Sequence, residues 1–146
     1  MIPAEALYLP GELVQLTTQV RNDGSATDSK RGTPLLEPGA RGVVVDVGLH
    51  LNRTLIYRVN FGDAGLVIGC RDVELQPQYG RLTITLMHGE ALLAASGTTL
   101  VVIAPADRPS HYQVQIDDWQ CELPLQAFEW LPYAHNSDPQ SPADAA

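Results

Sequence analysis

Basic side chains mark the polar stretch VRNDGSATDSKRGT, residues 20–33, as a candidate binding element. Arg21 lies near its start, and Lys30 and Arg31 lie near its end. An arginine guanidinium presents its N–H donors in a planar fork, which suits carboxylate or carbonyl acceptors on another protein. The spacing therefore predicts a cluster of donors that could contact a partner.

Turn-forming residues follow directly after Arg21, namely Asn22, Asp23 and Gly24. Short Asx side chains bond the local backbone, and glycine accepts a positive φ, so this triplet predicts a turn. Two interpretations of the whole stretch remain open, a partner-binding loop and a solvated surface loop without a function.

Cysteine chemistry is limited to Cys70 and Cys121, neither of which stands in a CxxC or CxxH pattern. Arg71 follows Cys70, and a neighbouring guanidinium can lower a thiol pKa and favour the reactive thiolate. An iron–sulfur cluster, however, needs about four thiolate ligands, more than the chain supplies. We therefore expect Cys70 to be a packed core residue.

Other catalytic or metal-binding patterns are not evident in the sequence. The histidines at positions 50, 88, 111 and 135 are scattered and share no spacing with cysteine or carboxylate residues. A zinc or iron site needs three or four converging ligands, and neither a nucleophile elbow nor a phosphate-binding glycine loop is found. We expect a protein that is not an enzyme and that binds no cofactor stably.

Charge and hydropathy restrict the classes of partner. The formal net charge is −8, of which −2 belongs to the residues through Pro77 and −6 to those from Gln78 onward. An acidic chain repels phosphate backbones, so nucleic acid is not expected as a partner. The sequence has no apolar run of about 20 residues and no basic, apolar start, so we expect a cytoplasmic protein that does not bind membranes.

The second part of the chain repeats the first when the sequence is shifted by 55 positions. GELVQL (11–16) also resembles GRLTIT (80–85), at a shift of 69, and the difference predicts an insertion of 14 residues at roughly 20–33 in the first copy. The identical pairs at the first shift include Gly42 and Gly97, Arg53 and Arg108, Tyr57 and Tyr112, Asp63 and Asp118, Glu74 and Glu129, and Pro77 and Pro132.

The two copies of the repeat are expected to consist of strands, because polar and apolar side chains alternate in YRVNF (57–61) and YQVQI (112–116). Five short strands per copy, tight turns and no long helix predict an all-β fold. We expect two tandem SH3-like barrels that arose by internal duplication and pack together, residues 1–77 and residues 78–132. Residues 133–146, which are small, polar and acidic, are predicted to be a disordered tail.

Half of the chain, roughly Tyr8 to Gln76, resembles the NifZ family of nitrogen-fixation proteins. The residues that carry the resemblance are the RNDG motif at 21–24, RG at 31–32, LL at 35–36, PGARG at 38–42, IYRVNF at 56–61, GCR at 69–71 and EL at 74–75. The stretch SATDSK after RNDG departs from the family's usual aromatic or proline–glycine turn.

The resemblance implies an accessory factor that binds the immature nitrogenase molybdenum–iron protein. Such a factor would assist conversion of paired [4Fe–4S] precursors into the P-cluster, alone or with other maturation factors, and the clusters would belong to the partner. A small-barrel module for nucleic acid or ribosomes, and a permanent stabilising subunit of a metalloenzyme, are the alternatives. The candidate partner-binding residues are Arg21, Asn22, Asp23, Gly24, Lys30, Arg31, Gly32, Arg41 and Arg71.

Overall fold

The computed structural model describes residues 2–21, 32, 34–62 and 65–132. The predicted disordered tail, residues 133–146, and most of the predicted loop at 20–33 lie outside the described residues. The described part consists of strands, turns and short 3-10 helices, which confirms the predicted all-β class. No helix in this part has the length and apolar character needed to cross a membrane.

Short strands follow one another along the chain, and three single turns of 3-10 helix connect some of them in the described ranges. The helical turns are Leu51–Arg53, Asp72–Glu74 and Leu125–Ala127. The strands are β1 Leu13–Leu16, β2 Val20–Arg21, β3 Pro34–Leu36, β4 Arg41–His50, β5 Thr54–Phe61, β6 Leu66–Cys70, β7 Leu75–Leu82, β8 Leu86–His88, β9 Ala91–Ala94, β10 Thr99–Pro105, β11 His111–Ile116, β12 Trp119–Pro124 and β13 Phe128–Trp130.

Strand β7 joins the two halves of the molecule, which we define as β1–β6 and β8–β13. In the described ranges one sheet of nine strands runs β12-β11-β10-β7-β1-β4-β5-β6, with β13 also paired to β7. The start of β7 pairs with β1, and its end pairs with β13. The predicted boundary between residues 77 and 78 thus falls within this shared strand, and the division into domains stays a prediction.

Alternating side chains build one apolar cluster in the first half. Along β5, Tyr57, Val59 and Phe61 are buried, whereas Arg58 and Asn60 are exposed, as the sequence pattern predicts. Burial of one face of a strand is the driving force for this arrangement. The other buried members are Val14, Leu16, Leu36, Val44, Val47, Cys70 and Leu75.

A separate apolar cluster fills the second half, and Leu13 of β1 also belongs to it. Val114 and Ile116 of β11 are its counterparts of Val59 and Phe61. The remaining buried members are Leu82, Ala94, Leu100, Val102, Leu123, Ala127 and Phe128. Each half therefore contributes its own core, and the shared sheet connects the two.

Backbone hydrogen bonds recur in the same pattern in both halves. Gly39 N–H donates to Leu16 O over 2.8 Å, and Gly97 N–H donates to Leu82 O over 2.8 Å. Both glycines have positive φ, 97° and 96°, so each closes the same kind of turn. The gapless shift that matched Gly42 with Gly97 is therefore wrong at this position, since Gly39 is the structural counterpart of Gly97.

The hairpins β2–β3 and β8–β9 differ in their connections. Arg21 pairs with Pro34 and Met87 pairs with Leu92, and both hairpins have a register irregularity at the same point. The sequence has 12 residues between the first pair and 4 between the second. The extra length in the connection of the first hairpin is therefore 8 residues, not the predicted 14, because the sequence shift also changes at other turns.

Candidate partner-binding site

Arg21 is held at the base of the first hairpin. Its Nη1 donates to the Gly32 carbonyl oxygen over 2.9 Å. Gln19 and Glu37 also join the two sides of the hairpin, with Gln19 Nε2 donating to the Glu37 carboxylate at 3.0 and 3.1 Å. Arg21 thus contacts its own chain, which gives it a role in bringing the loop ends together.

Five of the candidate residues cannot be placed in this arrangement. Asn22, Asp23, Gly24, Lys30 and Arg31 lie outside the described residues. Gly32 is described and has a φ of 87°, a conformation that favours glycine. The partner-binding role of this loop stays a prediction.

Arg71 is occupied by a local contact. Its Nη2 lies 3.5 Å from the Glu74 carboxylate, and its backbone N–H donates to Glu74 Oε1 over 2.8 Å. Glu74 therefore closes the 3-10 turn Asp72–Glu74 and neutralises the guanidinium at the same time. Arg71 and Arg21 both have partners within the chain and are not brought together by these contacts.

Cys70 lies in the first core, as predicted, and is 1% exposed. Burial, together with the nearby Glu74 carboxylate, raises the pKa of its thiol to about 12. The expectation that Arg71 could lower this pKa is wrong, since that guanidinium pairs with Glu74. Cys70 pairs with Tyr57 across β5 and β6, so its counterpart in the second half is Leu123, which pairs with Tyr112.

Arg41 alone among the described candidates faces the other half of the molecule. Its guanidinium carbon lies 3.9 Å from the ring centroid of Trp130, a cation–π contact. Trp130 is in turn supported edge-to-face by Tyr112 and Phe128, with ring centroids 5.2 and 5.3 Å away. Two residues that are far apart in the sequence, Arg41 and Trp130, are therefore in contact.

An open cleft of about 440 Å³ surrounds this contact, and we call it the junction cleft. Two buried glutamines line it. Gln15 accepts a hydrogen bond from Gln76 over 2.7 Å, and Gln78 donates to the Tyr79 carbonyl oxygen over 2.9 Å. The lining residues are Gln15, Pro38, Gly39, Arg41, Gln78, Trp130, Leu131 and Pro132.

Sequence reasoning did not identify the junction cleft as a site. Trp130 is only half-buried and lies at the edge of the second cluster. Gln15 and Gln78 are not among the site residues predicted from the sequence. Both are polar residues of strands, and both are buried in the structure, at 4% and 1% exposure. A glutamine among the apolar residues of β1, LVQL, is the signal that could have indicated Gln15, whereas β7, LQPQYGRL, has several polar residues and gives no such signal for Gln78.

Part of the chain is similar in sequence to several NifZ proteins. It is 49% identical over 65 residues to Protein NifZ of Azotobacter vinelandii, which covers 44% of this chain and 41% of the relative. Over 76 residues it is 38% identical to the Putative NifZ protein of Sinorhizobium fredii, or 52% of this chain and 70% of the relative. Protein NifZ of Klebsiella pneumoniae is 36% identical over 66 residues, or 45% of each chain.

The chain spans less than half the length of the Azotobacter and Klebsiella relatives that it matches. The region that matches the family, residues 5–77, includes β1 to β6 and only the first three residues of β7. It contains Arg21, Gly32, Arg41 and Arg71, whereas Trp130 lies beyond it. Residues 5–77 match the NifZ domain, so the predicted resemblance is confirmed and the chain belongs to the NifZ family of nitrogen-fixation proteins.

Proposed function

We propose that this protein is a non-enzymatic accessory factor of nitrogenase assembly in the cytoplasm. It binds the immature molybdenum–iron protein and assists the conversion of paired [4Fe–4S] precursors into the P-cluster, holding no cluster of its own. The observation that carries the proposal is the match of residues 5–77 to the NifZ domain. Binding would favour the immature conformation of the partner by its higher affinity for that state.

The repeated hydrogen bonding supports a finer view of the fold. We propose that the two halves are SH3-like barrels derived from one ancestral unit, with β7 serving as the last strand of one and the first of the other. Corresponding strand pairs, turns and threonine contacts support this view. The Thr17 N–H donates to the Glu74 carbonyl oxygen and the Thr83 N–H to the Ala127 carbonyl oxygen, each over 2.9 Å, and both acceptors are the last residue of a 3-10 turn.

The long connection of the first hairpin is the proposed contact element. It carries Lys30 and Arg31, and its base is held together by Arg21 and Gly32. A connection that is 8 residues longer than its counterpart needs no change in the strands that it joins. Such a loop can therefore gain a binding role without a change in the core.

A loop exchange tests the role of this element. Residues 22–33 would be replaced by the short connection of residues 88–91, because Arg21–Pro34 and Met87–Leu92 are corresponding pairs. We expect the variant to keep its melting temperature within about 4 °C while losing capture of the immature molybdenum–iron protein in a pull-down. Unchanged capture would show that the loop is not the contact element.

A second measurement tests the assembly role itself. The native protein should co-purify with the immature molybdenum–iron protein and be absent from the mature enzyme. Stoichiometric presence in the mature enzyme would instead identify a permanent subunit.

As a control for the loop exchange, Glu90→Gln alters the tip of the second hairpin and should leave capture unchanged, because that residue lies in the other half.

A further inference from the structure

The junction cleft has one charged group among the described residues that line it. This group is the guanidinium of Arg41, and the lining contains no aspartate or glutamate. The neighbouring Glu129 carboxylate lies 3.3 Å from Arg81, so its charge is already paired. The lining of the cleft therefore carries one positive charge and no negative charge, although the whole chain carries a net charge of −8.

The contact with Trp130 holds Arg41 in place without neutralising it. The two groups are 3.9 Å apart, and no described carboxylate lies within 4.0 Å of this guanidinium. A guanidinium stacked on a ring keeps its N–H donors at the edge of its plane, where a carboxylate can accept two hydrogen bonds. The Arg41 guanidinium is thus held at the cleft and is not paired with any described carboxylate.

Gln78 gives independent evidence of incomplete hydrogen bonding in the cleft. Its side chain is 1% exposed, and its Nε2 donates to the Tyr79 and Leu131 carbonyl oxygens at 2.9 and 3.4 Å. Its Oε1 has no hydrogen-bond partner in the described part of the chain. A buried acceptor without a donor costs about 1–3 kcal/mol, so such groups are commonly satisfied by a ligand or an ordered water.

The size of the cleft indicates the form of the ligand. A volume of about 440 Å³ is larger than one carboxylate, and the cleft is open to solvent. Its walls combine Pro38, Leu131 and Pro132 with the Trp130 ring, which offers apolar contact around a single cation. An extended peptide supplies backbone N–H donors, apolar side chains and a carboxylate together.

We propose that the junction cleft binds an extended acidic segment of a partner protein, with Arg41 contacting a carboxylate of that segment. Gln78 is a positioning residue, which holds β7 against Leu131 at the base of the cleft. The site requires both halves, since Arg41 belongs to β4 and Trp130 belongs to β13. This assignment does not depend on the role in P-cluster maturation.

Fluorescence titration of the purified full chain tests the proposal. Trp119→Phe leaves Trp130 as the single tryptophan, so its emission reports on the cleft. The probe is an acetylated, amidated hexapeptide with two glutamates, and the matched probe has glutamine in their place. We expect saturable quenching by the first peptide and at least about a tenfold weaker response to the second. Equal responses to both peptides would overturn the proposal.

Variants of the arginine identify the contact. In the same background Arg41→Gln should weaken binding of the glutamate peptide by about tenfold or more, and Arg41→Lys should fall between. Arg58→Gln is the matched control, because Arg58 is exposed and lies 3.6 Å from Asp46. Equal loss in both variants would contradict a specific role for Arg41, provided that their melting temperatures match that of the parent.

The occupant is tested by removing residues 133–146, which are acidic and follow the last lining residue, Pro132. If a partner segment is the ligand, the truncated chain should bind the glutamate peptide with the affinity of the full chain. A clear rise in affinity would show that the chain's own terminal residues compete for the cleft, and it would overturn the assignment to a partner.

Discussion

The two halves share one pattern of strand pairing and differ in what their hairpins present. The first hairpin has 12 residues between Arg21 and Pro34, with Lys30 and Arg31 among them, and the second has 4 between Met87 and Leu92. Met87 and Leu92 of the second hairpin are exposed apolar residues. One framework therefore carries either a long polar connection or a short one flanked by exposed apolar residues, because a surface connection can change without a change in the core.

Each core has a strand pair in which an aliphatic residue lies opposite a glycine, and the glycine is on a different strand of the pair in the two halves. Val14 of β1 pairs with Gly42 of β4, whereas Gly80 of β7 pairs with Leu100 of β10. In each pair one strand supplies an aliphatic side chain and the other supplies none. A Cβ at Gly42 would lie 2.5 Å from Val59 Cγ1, so the position is closed to larger residues.

The largest expected effect comes from filling this space. Gly42→Ala places a Cβ 2.5 Å from Val59, 2.9 Å from the Phe61 ring and 3.0 Å from the Asn60 carbonyl oxygen. Overpacking of this kind should lower the free energy of unfolding by about 3 kcal/mol, measured by denaturant titration. Gly80→Ala should cost less, about 1 kcal/mol, since its nearest contacts, the Leu100 side chain at 3.0 Å and the Glu129 carbonyl oxygen at 3.1 Å, are less close.

Gly48→Ala is the matched control for that prediction. Gly48 lies on the same strand, β4, and a Cβ there would meet nothing within 4 Å. We expect a change within about 0.5 kcal/mol. A cost at Gly48 as large as that at Gly42 would mean that strand propensity, rather than crowding, determines the result.

A smaller difference is expected between the two thiols. Cys70 is buried in the first core with its pKa raised to about 12, whereas Cys121 is half-buried and its pKa is raised by burial alone. Alkylation of the native protein near pH 8 should therefore be at least about tenfold faster at Cys121. Mass spectrometry of the modified peptides measures both rates, and similar rates would contradict the placement of Cys70.

The same thiol makes stability depend on pH. The folded state raises the pKa of Cys70 from 9.0 to about 12, so the unfolded chain loses this proton first as pH rises. The free energy of unfolding should hold below pH 9 and fall between 9 and about 12. Cys70→Ala should reduce that decline, and an identical pH profile in the variant would contradict the assignment.

The smallest expected effect distinguishes the paired tyrosines. The Tyr57 hydroxyl accepts a hydrogen bond from the Leu7 N–H over 3.0 Å, which fastens the N-terminal segment to the first core. Tyr57→Phe should cost about 1 kcal/mol of unfolding free energy. Tyr112→Phe is the control and should be nearly neutral, because no described group bonds its hydroxyl. Equal costs would show that the segment is not fastened in this way.

Local sequence patterns were enough to predict much of the fold. The period of two in YRVNF and YQVQI correctly placed Val59 and Phe61, and Val114 and Ile116, in the cores. The gapless repeat was less accurate, since it matched Gly42 with Gly97 and overestimated the insertion. The turns of the two halves differ in length at several points, and a single sequence shift cannot represent several differences in length.

The sequence by itself determined the strands, the burial of Cys70 and the family of the chain, because these depend on neighbouring residues and on short motifs. Only the tertiary structure decided which candidate arginine is available. Arg71 pairs with a residue three positions away and Arg21 contacts the other side of its own hairpin, whereas Arg41 contacts Trp130 of the second half. That meeting follows from the pairing of β7 with both β1 and β13, a long-range contact that no local periodicity specifies.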